Sequence, residues 1–118
     1  MNIFILHRDP RIAARYHCDK HVNKMITESV QMLSTVNRTV LSNPIGFKST
    51  HAGNSCTRWV GRSRENYLWL CDLTEALTEE FKQRYGRAAH ASHNRYVECE
   101  LRPLATFEQN GGDHRVSL

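Results

Sequence analysis

The sequence predicts a mainly α-helical protein: a compact single-domain bundle of about three helices with a short N-terminal extended segment. The chain has 118 residues, of which 40% are hydrophobic, which is enough for one core and too little for two. Apolar residues recur at helical spacing in two long stretches. The one strand-like run, "NIFIL" at residues 2–6, has no second strand to pair with. We therefore expect a single helical domain over residues 1–118, with residues 108–118 frayed.

The first helix has a clear start signal in "DPRI". Asp9 is suited to the N-cap and Pro10 to the first helical position. Apolar residues then recur to Val40, so the helix extends from about residue 10 to residue 41, where "SNP" ends it. Such a helix is long, and a break near residues 18–21 is an alternative. In "NIFIL", Ile3 and Ile5 are expected to pack against the helices.

A loop and two further helices are expected after this. Residues 42–56, "SNPIGFKSTHAGNSC", form a loop long enough to indicate a functional role. A second helix is predicted from about residue 57 to residue 85, ending at Gly86. Its Trp59 and Trp69 are expected in the core. A third, shorter helix is predicted with Ser92 as its cap, ending before Pro103.

The composition favours an anionic partner. The formal net charge is +4, and 12 of the 16 basic residues are arginine, whose planar fork suits phosphate. We therefore expect DNA or a nucleotide as the ligand. No apolar run is long enough to span a membrane, and the N-terminus lacks the features of a secretory signal. The four cysteines form no C-x-x-C pair, so reduced thiols and a cytoplasmic location are expected.

The segment "YHCDKHVNKMITES", residues 16–29, is the first candidate site. If Val22 is at the centre of the buried face, a polar stripe lies on the neighbouring flank of the helix and consists of His17, His21, Lys24 and Glu28. Cys18 falls on the buried face and is expected there as a small apolar residue. The stripe could line a cleft. Alternatively it is a solvated face, with Lys24 and Glu28 in a surface ion pair of about 0.3–0.5 kcal/mol; the histidine pair favours the cleft.

A metal site at the histidine pair is the less favoured interpretation. His17 and His21 have the i, i+4 spacing of two ligands on one helix face, but zinc requires a third and usually a fourth ligand. His51, His90 and His93 are the candidates, and position 18 carries cysteine instead of the glutamate of an H-E-x-x-H motif. We expect neither a metal nor another cofactor.

The second candidate site is a phosphate site in the loop before the second helix. Arg58 and Arg62 share a helix face near that helix's N-terminus, where free backbone N–H groups favour an anion. Further donors in the loop are Lys48, Thr50, His51 and Asn54. The alternative is an ordinary surface loop with salt-bridged arginines.

Three motifs carry a family resemblance: "HCDKHVNKM", "THAGNSCTRWV" and "SRENYLWL…EEFKQRYG". Over residues 1 to about 86 they resemble a group of small phage-encoded proteins, which in turn resembles the pyrimidine-dimer DNA glycosylases of the endonuclease V type. The resemblance implies a compact helical protein that binds duplex DNA, flips a base, cleaves the glycosidic bond through a Schiff base on an amine, and nicks the abasic site.

The resemblance also implies an amine nucleophile and a nearby carboxylate. The amine would be that of Met1, Lys20 or Lys24, and the carboxylate that of Asp19 or Glu28. The sequence departs from the glycosylases at two places. Asn2 disfavours removal of Met1, and the ending "FEQNGGDHRVSL" lacks their aromatic, basic tail.

Three functions therefore compete. The leading prediction is a phage-type DNA-binding repair protein, a glycosylase and abasic lyase acting on damaged or modified bases in the host cytoplasm. The first alternative is a non-catalytic protein that captures nucleotides or cyclic nucleotides as a phage counter-defence. The second is a structural interaction protein. A homodimer is a further option if "NIFIL" pairs with the same strand of another copy.

Overall fold

The computed structural model describes Ile3 and residues 7–102, and these residues contain five helices. The helices are α1 (Pro10–Arg15), α2 (Asp19–Thr39), α3 (Ser55–Val60), α4 (Arg64–Tyr85) and α5 (Ala91–Glu98). No strand occurs within this part of the chain. The mainly α prediction is confirmed, with more helices than the three expected because two predicted helices are each divided. Ile3 is buried, whereas Ile5 and residues 108–118 lie outside the described residues.

The first division separates α1 from α2. Asp9 caps α1 as predicted, since its carboxylate accepts the N–H of Arg11 at 2.8 Å. The helix ends at Tyr16, and Cys18 is extended (φ −71°, ψ 160°) at the N-cap of α2. The predicted burial of Cys18 is wrong: the break takes this residue out of the helix, and its side chain is exposed.

The second division separates α3 from α4. Ser63 is extended and its hydroxyl accepts the N–H of Asn66 at 3.1 Å, which starts a new helix where a continuous one was expected. α4 ends at Gly86, as predicted, with a left-handed φ of 63°. The cap predicted for α5 is wrong by two residues, because the ring of His90 accepts the N–H of Ser92.

The core is built around α2 and α4, which run antiparallel. Asn37 near the end of α2 bonds to Tyr67 near the start of α4, and Asp19 at the start of α2 pairs with Arg84 near the end of α4. Both helices bury aliphatic stripes, namely Val22, Ile26, Val30, Leu33 and Val36 on α2 and Leu70, Leu73 and Leu77 on α4. Trp59 is buried with its ring edge-to-face against the half-buried Trp69. Within the described ranges, no helix combines the length and apolar character of a membrane span.

Candidate functional site

An amine and a carboxylate lie side by side on the polar flank of α2. The Nζ of Lys24 is 3.8 Å from Oε2 of Glu28. The Glu28 side chain is only 18% exposed, whereas that of Lys24 is 64% exposed. The carboxylate is therefore held close to the helix surface while the amine reaches solvent. His21, one turn before, is half-buried on the same flank.

His17 lies apart from this pair, in the turn between α1 and α2. The residue is 3% exposed, and Nδ1 of its ring donates to the carbonyl of Ala13 at 2.7 Å. Burial lowers the pKa of His17, and the nearby His21 and Arg84 lower it further against the opposing effect of the Ala13 bond. A buried neutral imidazole bonded to the preceding helix stabilises the turn.

Asp19 is also separated from Glu28. It lies nine residues earlier on α2, which at about 100° per residue puts it on the opposite face. Its carboxylate is 3.1 Å from Nη1 of Arg84, and the same guanidinium donates to the carbonyls of Arg15 and His17. Arg84 thus ties the α1–α2 corner to the end of α4. The structure brings Lys24 and Glu28 together and leaves His17 and Asp19 at this corner, with His21 close enough to His17 to lower its pKa.

The loop before α3 docks on the same flank of α2, two turns after Glu28. The hydroxyl of Thr35 donates to the carbonyl of Thr50 at 3.2 Å and accepts the N–H of Thr50 at 3.0 Å. The next residue, His51, has a left-handed φ of 53°, and its exposed ring lies 2.7 Å from the Thr50 hydroxyl. Thr35 is seven residues after Glu28, so the loop lies about 10 Å along the helix axis from the carboxylate.

The other predicted phosphate-binding residues divide into two groups. The carboxamide oxygen of Asn54 accepts the N–H groups of Cys56 and Thr57, so this side chain serves as the N-cap of α3. Lys48, Arg58 and Arg62 are exposed, and none of the ion pairs formed within residues 7–102 includes them. The alternative interpretation expected these arginines to be salt-bridged, but Arg58 and Arg62 form no salt bridge within residues 7–102.

The two candidate sites, the polar stripe of α2 and the loop before α3, lie at different positions along α2 and do not share one pocket. His21 and Thr35 are fourteen residues apart on α2, which corresponds to about 21 Å along the helix axis. α3 follows beyond Thr35, packing against the end of α2 where Gly61 approaches Val36 and Val40. The Lys24–Glu28 pair and the loop docked on the buried Thr35 therefore lie at separate positions along α2.

A pair of arginines that sequence reasoning missed lies beside the same loop. Nη2 of Arg38 and Nη2 of Arg95 both donate to the carbonyl of Gly46, at 3.1 and 3.2 Å. The residues come from α2 and α5 and are 57 positions apart, so no local pattern could reveal them. The residues that the structure describes contain no group of three or more His, Cys, Asp or Glu side chains arranged to hold a metal ion.

No protein-family model, curated protein or solved structure matches this chain. The resemblance to phage proteins and to pyrimidine-dimer glycosylases remains a prediction.

Proposed function

We propose that this protein is a phage-type DNA-repair protein that binds duplex DNA along α2 and residues 48–62 and acts as a glycosylase and abasic lyase. One observation carries the DNA-binding part of the proposal. The polar flank of α2 extends over about 21 Å, from the half-buried His21 and the exposed Lys24 to the loop that is docked on the buried Thr35, a length that corresponds to roughly six base-pair steps of 3.4 Å.

Ligand size favours DNA over a single nucleotide. A nucleotide-capture protein encloses its ligand in a small cavity with convergent polar groups. Here the Lys24–Glu28 pair and the loop at Thr50 are about 10 Å apart along the helix, and Arg58 and Arg62 lie further along the chain on and after α3. A polyanion can contact all of these groups at once, whereas one phosphate group contacts only one of them.

The exposed arginines support the same choice. Arg58 and Arg62 have no ion-pair partner among residues 7–102, so their guanidinium groups are not occupied by protein carboxylates there. Arginine forks bind backbone phosphates, and such contacts fix the position of a protein on DNA without reading its sequence.

The Lys24–Glu28 pair supplies the groups for the chemistry. Glu28 would accept a proton from the Lys24 ammonium, and Nζ would then attack C1′ of the damaged nucleotide. The bond from C1′ to the base breaks, and the base leaves with the electron pair and takes up a proton. Ring opening gives a Schiff base, loss of the C2′ proton expels the 3′ phosphate, and water releases the amine.

The binding step is tested by fluorescence anisotropy with a labelled duplex over a series of salt concentrations. Arg58→Gln and Arg62→Gln should each weaken binding at every sequence and reduce the salt slope by about one, because each phosphate contact contributes about 0.9. Arg87→Gln is the matched control, since Arg87 is exposed in the α4–α5 connection. Equal slopes for all four proteins would contradict the proposed interface.

The chemical step is tested by borohydride trapping on ultraviolet-irradiated and abasic duplexes. Lys24→Arg keeps the positive charge but cannot form a Schiff base, so it should bind DNA and give no covalent adduct. Lys20→Arg is the control on the same helix and should be trapped like the unaltered protein. An adduct that persists in Lys24→Arg would exclude Lys24 as the nucleophile, and peptide mapping would then identify the amine. Tight binding of a free nucleotide without any adduct would instead support nucleotide capture.

A further inference from the structure

Two guanidinium groups converge on one carbonyl oxygen at the side of α2. Arg38 donates from Nε to the carbonyl of Phe47 at 2.8 Å and from Nη2 to that of Gly46 at 3.1 Å. Arg95 on α5 donates from Nη2 to the same Gly46 carbonyl at 3.2 Å, and its guanidinium lies over the Phe47 ring, 5.2 Å from the centroid. The two Nη2 atoms are therefore within about 6 Å of each other, where like charges repel.

The backbone that holds these arginines is rigidly placed. Gly46 is buried with φ 77°, and a Cβ at this position would lie 2.3 Å from the hydroxyl of Ser34. That hydroxyl accepts the N–H of Phe47 at 3.0 Å and donates to the carbonyl of Val30. The carbonyl groups of residues 46 and 47 are thus fixed against α2, and both guanidinium groups are oriented before any ligand arrives.

Protein carboxylates do not balance this pair within the described part of the chain. The ion pairs of residues 7–102 involve Lys24, Lys82, Arg84 and Arg102, and neither Arg38 nor Arg95 is among them. Each guanidinium has five N–H donors, and the carbonyl bonds use two in Arg38 and one in Arg95. Two adjacent cations with donors to spare, and with no acidic partner among residues 7–102, form a suitable site for a tetrahedral oxyanion.

We propose that Arg38 and Arg95 form a phosphate clamp, and that it holds a backbone phosphate of DNA. The second part rests on the proposed function. Arg38 is fourteen residues after Lys24, so the two lie on nearly the same face of α2, separated by about 21 Å along its axis. A duplex whose backbone is held at the clamp can therefore extend along α2 to the Lys24–Glu28 pair.

The clamp itself is tested with inorganic phosphate, independently of DNA. In a titration followed by NMR of the arginine Nε–Hε groups, phosphate should shift two resonances saturably and with one affinity. Arg95→Gln should weaken this binding at least tenfold, and so should Arg38→Gln. Arg87→Gln, which alters an exposed arginine in the α4–α5 connection, should leave it unchanged. Absence of a saturable shift, or equal phosphate affinity in Arg95→Gln, would overturn the clamp.

Arg38 also bonds the loop, so Arg38→Gln removes loop bonds together with the phosphate contact. Arg38→Lys therefore serves as the second variant. It keeps the charge and loses the planar fork, so it should retain the melting temperature within a few degrees while still losing most of the phosphate affinity. Phosphate binding of Arg38→Lys equal to that of the unaltered protein would show that charge alone suffices, and would overturn the fork geometry proposed for the clamp.

The assignment to DNA is tested by the salt dependence of duplex binding. Arg95→Gln should reduce the slope of log K against log salt by about one. If phosphate binds at the clamp but no duplex binds, the proposed function is wrong and the clamp stands as a phosphate site. If the duplex binds with an unchanged slope in Arg95→Gln, the clamp is not a DNA contact and the proposed function stands.

Discussion

At the scale of single residues, the hydroxyl of Tyr67 joins three parts of the chain in the core. The side chain is fully buried, and its hydroxyl accepts from Nδ2 of Asn37 on α2 and donates to the carbonyl of Leu101, both at 2.6 Å. Burial raises the pKa of this phenol, so the hydroxyl remains a neutral donor. α2, α4 and the segment after α5 are thus connected through one oxygen atom.

Tyr67→Phe should lower the free energy of unfolding by about 1–3 kcal/mol, because it leaves the buried Leu101 carbonyl without its donor. Urea unfolding followed by circular dichroism measures the change. Tyr16→Phe is the control: Tyr16 is 62% exposed, so the loss of its hydroxyl should change stability by no more than about 0.5 kcal/mol. Equal effects of the two substitutions would contradict the role assigned to Tyr67.

Glu28→Gln should abolish function and leave the fold intact. Among residues 7–102 its ion-pair partner is the exposed Lys24, and such a pair contributes about 0.3–0.5 kcal/mol, which corresponds to a melting-temperature change of roughly 1–4 °C. Thermal unfolding and the borohydride assay are measured on the same preparation. A fall of more than about 10 °C would identify Glu28 as a structural residue and refute the proposed role in the chemistry.

At the scale of elements, the docking of the 42–54 loop on α2 depends on Gly46. Gly46→Ala places a Cβ against the Ser34 hydroxyl at a left-handed φ, so it should cost about 1–3 kcal/mol of unfolding free energy. Gly53 lies in the same loop, where an added Cβ would meet no other atom within 4 Å, and Gly53→Ala should change stability by less than about 1 kcal/mol. Urea denaturation measures the unfolding free energy of both variants, and equal values would show that the close approach at Gly46 is not required for stability.

The start of α5 is held to α2 by a histidine that must be neutral. Nδ1 of His90 accepts the Ser92 N–H at 3.1 Å, while Nε2 faces Oδ1 of Asn23 at 2.9 Å. Protonation would turn Nδ1 into a donor and remove the cap. Burial lowers the pKa of His90 below its ordinary 6.5, and burial likewise lowers the pKa of His17 and His93.

A histidine pKa that is lower in the folded state makes the unfolded state bind more protons. Stability should therefore be complete above pH 6.5, and should fall as the pH drops below this value toward the folded-state pKa of His90. Urea unfolding at pH 7.5 and pH 5.5 should show the loss. The loss of unfolding free energy should be smaller in His90→Asn, since asparagine caps a helix without titrating. The control His51→Asn, at an exposed ring, should lose as much unfolding free energy as the unaltered protein. An equally large loss in His90→Asn would refute the mechanism.

At the scale of the whole molecule, local sequence signals predicted the ends of helices but not the contacts between residues that are distant in the sequence. Asp9 with Pro10 and the left-handed Gly86 mark helix ends by their own chemistry, and these predictions are confirmed. The burial of Cys18 was predicted wrongly because a continuous helix was assumed through the α1–α2 break. For the site, helical spacing alone brings Lys24 and Glu28 together. The pairing of Arg38 with Arg95 depends on how α5 packs, which no local pattern encodes.

The Cα radius of gyration, 13.5 Å, is that of a compact chain of this length. Along this compact body, α2 is a 21-residue helix with an axis of about 31 Å. It carries the Lys24–Glu28 pair toward one end, and Arg38 and the docked loop toward the other. The central claim is that this helix presents a continuous surface for DNA.

The most direct test of this claim is the affinity for duplexes of about 6, 12 and 18 base pairs, compared with mono- and cyclic nucleotides in the same calorimeter. Since the surface along α2 spans roughly six base-pair steps, affinity should rise steeply from the shortest duplex to the 12-mer, with a strong salt dependence, and free nucleotides should bind weakly. Stoichiometric, tight binding of a nucleotide with no gain from duplex length would contradict the claim.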